Sequence, residues 1–224
     1  MNQPKDLWED VDRYVSDLLI APDAALDQVL RSSAEAGLPA INVSPAQGKL
    51  LHLLARIHGA KKILEIGTLA GYSTIWLARA LLADGKIITL ESEPKHAAIA
   101  RRNFANAGLE GVVELIEANA LDTLPRLANR GPFDLTFIDA DKQSNAEYFA
   151  WAVRLSRPGS LIIVDNVVRG GAVIDADSKD ESVQGVRRFM TALASETRVS
   201  ATAIQTVGAK GHDGLAVAVV TAAL

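Results

Sequence analysis

The chain contains no cysteine, which removes disulfides, thiolate metal sites and cysteine nucleophiles and leaves thiol chemistry silent about compartment. It contains no long run of lysine and arginine, and the formal net charge is −4, so a nucleic-acid partner is not expected. No apolar run reaches the length of a membrane span. The opening MNQPKDLWEDVDRYV is charged and lacks the apolar centre of a secretory leader. The expectation is therefore a soluble, cytoplasmic protein with no membrane partner. Several catalytic signatures are also missing. The four histidines have no HExxH spacing, and Ser73 has neither a GxSxG setting nor an evident histidine partner, so a hydrolase triad is unsupported.

What is present is ample core. Hydrophobic residues make up 49% of the 224, enough for one globular domain. Helical spacing predicts helices over 6–20, 22–37 and 44–59, the last with Ser44 as N-cap and Pro45 at the first helical position. From Lys61 the pattern changes to short apolar runs alternating with helical segments. Strands are predicted at 61–66, 86–90, 112–117, 133–138 and 160–164, and helices near 71–83, 94–107, 120–129 and 144–156. Strict alternation of this kind argues an α/β fold with a parallel sheet covered on both faces. A loop (167–181), a helix (182–195) and two strands (198–207 and 215–220) follow. The two strands are joined across KGHDG as a hairpin. The expected organisation is one domain over 1–224, with an N-terminal helical cap (1–59) and an α/β core (60–224). The tryptophans, Trp8, Trp76 and Trp151, fall in helix patterns and are expected to pack.

Ligands of open parallel sheets bind beyond the carboxyl ends of the strands, so the residues there carry the argument. FDLTFIDADK (133–142) runs apolar into Asp139, and GSLIIVDN (159–166) runs apolar into Asp165 and Asn166. An Asp at a strand end often only caps the next element. Two at adjacent parallel strand ends, about 4.8 Å apart, repel each other unless a cation sits between them. Two carboxylates and an amide oxygen suit a hard divalent cation, Mg²⁺ first, with Mn²⁺ or Ca²⁺ as alternatives. Lys142, a surface lysine by itself, becomes a candidate base beside a metal and a reacting hydroxyl.

The first strand leads into Gly67-Thr68-Leu69-Ala70-Gly71, a glycine turn that is either a plain strand–helix connection or a place where backbone approaches a ligand. Its spacing is GxxxG rather than GxGxxG. Glu91 ends the second strand, about twenty residues further on, where an acid can accept from both ribose hydroxyls; alone it reads equally well as a solvated cap of the next helix. Together with the glycine turn the ribose contact is favoured. No lysine or arginine stands in the turn to meet phosphates, so the ligand expected is an adenosine-type cofactor without them, which S-adenosylmethionine satisfies.

ILEIGTLAGYSTIWLARAL, TLESEP, FIDADK and IIVDN together resemble the cation-dependent S-adenosylmethionine O-methyltransferases, the catechol and caffeoyl-CoA O-methyltransferase-like group, and within it the bacterial small-molecule branch. The resemblance covers about residues 40–220. It implies a Rossmann-like class I methyltransferase fold: a seven-stranded, mostly parallel sheet with a C-terminal antiparallel hairpin, helices on both faces and extra N-terminal helices. By position it makes Asp139, Asp165 and Asn166 the metal ligands and Lys142 the catalytic base, with Asp139 serving both metal and cofactor. Glu91 becomes the ribose acid. Val43, Glu65, Gly67, Thr68 and Ser73 fall around the methionine end of the cofactor, and Ala120 and Asp141 near the adenine. It also implies a homodimer and an aromatic small-molecule acceptor with vicinal hydroxyls.

The resemblance departs at two points. Ala140-Asp141 replaces the His-Trp of catechol O-methyltransferase, and Arg169-Gly170 replaces the Trp-Asn of the plant enzymes. Neither catecholamine specificity nor a coenzyme A ester is therefore implied. The loop VVRGGAVIDADSKDES (167–182) is expected to be mobile and to gate the site. Competing readings are a NAD-dependent oxidoreductase, against which the GxxxG spacing and the metal set stand, a cofactor-binding protein without activity, and a nucleic-acid methyltransferase, against which the acidic charge stands.

Overall fold

A computed structural model describes residues 4–222; residues 1–3 and 223–224, the ends of the single-domain span expected above, lie outside it. Three helices come first: α1 (Pro4–Leu19), α2 (Ala24–Glu35) and α3 (Pro45–His58). Ser44 caps α3 by accepting from Gln47 N at 3.2 Å, and Gly59 at φ +70° ends it. The α2 helix starts later than the sequence suggests. Asp23 caps it by accepting from the backbone of Ala25 and Leu26.

The alternating part follows as β1 (Lys62–Ile66), α4 (Tyr72–Ala78), β2 (Lys86–Glu91), α5 (Pro94–Asn106), β3 (Val113–Glu117), α6 (Ala120–Thr123), β4 (Phe133–Ile138), α7 (Asn145–Arg154), β5 (Ser156–Asp165), α8 (Glu181–Ser195), β6 (Val199–Gly208) and β7 (Gly211–Val220). The sheet order is β3-β2-β1-β4-β5-β7-β6. Only β7 runs against the rest, between β5 and the edge strand β6. Successive strand residues serve opposite faces. Ile63, Ile87, Leu135, Phe137 and Ile163 join one core with α2, α3, α4 and α5. Leu64, Ile88, Ile138, Ile162 and Val164 join the other with α7 and α8. This two-faced burial is why β1, β2, β4 and β5 read as near-continuous apolar runs.

Where element lengths differ from expectation, hydrogen bonding explains it. The α4 helix stops at Ala78 because the backbone shifts to tighter bonds, Ala80 N to Leu77 O and Leu81 N to Ala78 O, and Leu82 N turns to Ala60 O. The helix expected near 120–129 is one turn of α-helix continued as a 3₁₀ turn, Leu124–Leu127, that contains Pro125, a residue with no N–H to give. The hairpin closes at Gly208↔Gly211, so His212, Asp213 and Gly214 are paired strand residues rather than loop. The 167–182 loop contains turn structure at Arg169–Ile174, broken at Gly170 and Gly171. Asp213 Oδ1 and the Arg187 guanidinium bond its backbone. Among the described residues no helix is long and apolar enough to cross a membrane.

The α8 helix also positions chemistry. Gly185 faces the 3₁₀ turn Lys142–Ser144 so closely that a Cβ would stand 2.2 Å from Lys142 O and 2.6 Å from Gln143 Cα. Gly185→Ala therefore forces this turn and the helix apart. The expected outcome is a loss of about 1–3 kcal/mol in urea unfolding; an unchanged midpoint would contradict the contact.

Candidate active site

The strands β4 and β5 pair in parallel with Ile138 opposite Val164, so Asp139 and Asp165 are the next residues on each, side by side at the carboxyl edge. Asn166 follows at φ +60°, the left-handed region that Asn tolerates better than most. The two acids have different surroundings. Asp165 is 3% exposed, and its oxygens accept from Gln47 Nε2 at 2.9 and 3.0 Å and from Asn166 N at 2.8 Å. Burial, reinforced by the charge of Asp139, pushes its carboxyl up to about 7 from 3.8. Asp139 is partly exposed and takes an ion pair from Lys142 Nζ at 2.7 Å. Lys142 is itself buried.

A cavity of about 510 Å³ runs along this edge. Most residues singled out in the sequence line it: Val43, Gly67, Thr68, Ser73, Glu91, Ala120, Asp139, Asp141, Lys142 and Asn166. Glu91 Oε2 accepts from Thr68 N at 3.3 Å and Leu69 N at 2.8 Å, and its Oε1 accepts from Glu93 N at 2.9 Å. It thus fixes the glycine turn while facing the cavity. Asp141 accepts from the Tyr148 hydroxyl at 2.5 Å; burial and that carboxylate push the phenol up, so it stays protonated.

Two of the candidates stand behind the wall. Asp165 lies beneath Gln47 and Asn166. Glu65 is wholly buried and accepts from Ser73 Oγ at 2.7 Å, Thr74 Oγ1 at 2.5 Å and Thr89 Oγ1 at 2.6 Å. Burial raises it to about 7 against the pull of those hydroxyls. In this structure Glu65 acts on the cavity through Ser73. The tight turn expected of the two glycines is present, and close packing adds a second reason for them. A Cβ on Gly67 would stand 2.1 Å from Asp139 O, and one on Gly71 2.4 Å from the Phe104 ring. With φ of +97° and +90°, both are required by the turn and by close protein packing.

Sequence reasoning missed Gln47, Tyr148 and Arg169. Gln47 meets Asp165 across 118 residues, and no spacing rule reaches that far; its place one turn after the Ser44 cap was the available hint. Tyr148 lies seven residues from Asp141 and reads as a core aromatic. His96 lines the cavity with Nδ1 3.6 Å from Glu91 Oε1. The other three have plain structural partners, Trp76 O for His52, Asp134 O for His58 and Gln205 Oε1 for His212. A second cavity of about 230 Å³ shares Asn166 with the first and is bounded by Gln47, Val207, Lys210 and Asp213.

A family profile described as O-methyltransferase matches residues 20–218. The chain belongs to the O-methyltransferase family. It is 56% identical to a catechol O-methyltransferase of Niastella koreensis over 216 residues, 96% of this chain and 98% of that one. Among solved structures, an O-methyltransferase from Bacillus cereus in complex with SAH superposes with a TM-score of 0.95 at 57% identity, covering 96% of this chain and 99% of that one. TomG from Streptomyces achromogenes, an O-methyltransferase involved in tomaymycin synthesis and solved in complex with SAM, gives 0.95 at 51%, covering 98% and 100%.

The site suits a hard cation by its donors, two carboxylates and an amide oxygen. Among the described residues no group of three or more His, Cys, Asp or Glu side chains is placed to hold a metal ion. The raised acids have a consequence for stability. With Asp165 near 7 when folded and 3.8 ordinarily, the folded protein keeps a proton that the unfolded chain loses over that interval. Stability therefore falls as pH rises through it, and Glu65 adds in the same direction. With EDTA present, Asp165→Asn removes one share of this loss. Its Tm should exceed the native value above about pH 7 and converge with it near about pH 4. A variant that melts below the native protein at the higher pH would contradict the electrostatics.

Proposed function

We propose that this O-methyltransferase transfers a methyl group from S-adenosylmethionine to one hydroxyl of an aromatic vicinal diol, with a divalent cation held by Asp139, Asp165 and Asn166. The observation that carries the reading is the pair of acids at neighbouring strand ends, one of them buried and pushed up to about 7. Such a carboxyl holds either a proton or a cation. The SAH and SAM complexes of the two structural relatives support the cofactor, and the name of the Niastella relative supports the diol.

When bound, the cofactor supplies an activated methyl group and the cation, Mg²⁺ first with Mn²⁺ or Ca²⁺ as alternatives, supplies Lewis acidity toward the acceptor's oxygens. The chain's own residues do the rest. Glu91 receives the ribose hydroxyls, Val43, Thr68 and Ser73 bound the methionine end, and Ala120 and Asp141 flank the adenine, with Tyr148 holding Asp141 in place. Lys142 Nζ, carried on a turn braced by α8, takes the proton of the reacting hydroxyl. Lys142 accepts that proton as the free amine; Asp139 pairs with the ammonium so formed, which releases its proton to solvent before the next cycle, and Asp139 would serve the cation as well. Holding donor and acceptor in line contributes through effective concentration.

The reading also includes a homodimer. Exposed apolar side chains on α1 and α3, among them Leu7, Tyr14, Leu18 and Ile57, offer a face of the kind that subunits cover.

Turnover of a simple catechol should stop with EDTA and return with Mg²⁺ or Mn²⁺. Lys142→Ala should lower kcat by about a hundredfold or more, while calorimetry shows S-adenosylhomocysteine binding unchanged. Full activity in metal-free buffer would refute the cation's role, and normal turnover of Lys142→Ala would refute the base.

A further inference from the structure

Arg169 is a cavity residue that the reading above leaves without a task. It stands three residues beyond Asn166 and lines the large cavity together with Asn166 and Lys142. Its backbone is held at φ +57°, a setting that costs a residue with a side chain. Asp213 stabilises it, its Oδ1 accepting from the N–H of Val168 and of Arg169, each at 3.0 Å. The Nε of Arg169 is buried without an acceptor. Among the described residues its guanidinium forms no ion pair, whereas Arg79, Arg101, Arg130, Arg157 and Arg198 each meet a carboxylate. Arg169 is half-buried, and a buried N–H donor without an acceptor is unfavourable; such donors in native proteins usually meet a ligand, an ion or water.

We propose that Arg169 recognises a carboxylate on the methyl acceptor, so that the preferred substrates are dihydroxy aromatic acids rather than neutral catechols or catecholamines. This rests on the vicinal-diol reading of the site. The planar guanidinium fork matches a carboxylate in two parallel hydrogen bonds. The same positive charge disfavours an acceptor that carries an ammonium. The Nζ of Lys142 is engaged by Asp139 at 2.7 Å, whereas Arg169 has no carboxylate partner among the described residues. The other carboxylate that could reach Arg169 is that of the cofactor's methionine moiety, and the test separates the two.

The comparison uses native protein, Arg169→Met and Arg169→Lys with 3,4-dihydroxybenzoate and its methyl ester, which differ in charge and keep the same diol. Steady-state kinetics with Mg²⁺ are paired with calorimetric binding of each acceptor to the complex with S-adenosylhomocysteine. Arg169→Met should lose about ten- to a hundredfold in kcat/KM for the acid, mainly through KM, as expected for one charged hydrogen-bonded contact. The ester should be little changed, cofactor affinity should be unchanged, and Arg169→Lys should recover part of the loss. Equal losses for acid and ester, no loss for the acid, or weakened S-adenosylhomocysteine binding would each overturn the proposal. If native protein methylates neither compound, the vicinal-diol reading fails on its own. Calorimetry then still decides the role of Arg169, by whether the acid binds more tightly than the ester and loses that advantage in Arg169→Met.

Discussion

The site depends on one electrostatic constraint. Parallel pairing of β4 and β5 sets Asp139 beside Asp165 at the edge of the sheet, with the second acid almost fully buried. Like charges at that spacing in a poorly solvated place cannot both stay ionised without compensation. The chain supplies some: Lys142 faces Asp139, and the Gln47 amide covers both oxygens of Asp165. Gln47 adds dipoles and no charge, so the compensation is incomplete and Asp165 is left near 7. Replacing Asp139 would leave the buried Lys142 unpaired, and replacing Asp165 would leave the Gln47 amide without its acceptor. Keeping both makes sense when a cation completes the set.

The rest of the architecture holds that edge still. Two cores grip the sheet from opposite faces, so the strand ends cannot drift relative to one another. The glycine turn is locked to β4 by the contact of Gly67 with Asp139 O and to α5 by that of Gly71 with Phe104. From below, Glu65 gathers Ser73, Thr74 and Thr89. From the side, Glu91 gathers Thr68 and Leu69. The glycine turn and the acid pair are thus joined through the backbone of Gly67 and Asp139, two residues that follow different strands and lie in close contact. Glu91 both faces the cavity and organises the turn, so it cannot be changed without affecting both.

Much of this was legible in the sequence because it depends on local pattern. Apolar runs ending in Asp139 and Asp165 gave strands and their polarity, and Ser44-Pro45 marked the start of α3. The alternation from Lys61 implied the parallel sheet. What escaped depends on contacts remote in sequence. Gln47 finds Asp165 only after α3 docks, and Glu65 turns out to lie beneath the cavity because three hydroxyls from α4 and β2 converge on it. The hairpin was placed too far along the chain, since KGHDG reads as a turn while the ladder in fact runs through His212 and Asp213. That register is what lets Asp213 reach the backbone of Arg169.

The central claim, that Asp139, Asp165 and Asn166 jointly hold a cation, is tested most directly by diffraction from crystals grown with Mn²⁺. The account predicts one strong anomalous peak among these three side chains, with oxygen ligands at roughly 2.0–2.6 Å, and its loss in crystals of Asp165→Ala. A peak elsewhere on the protein, or none at this edge with Mn²⁺ in excess, would contradict it.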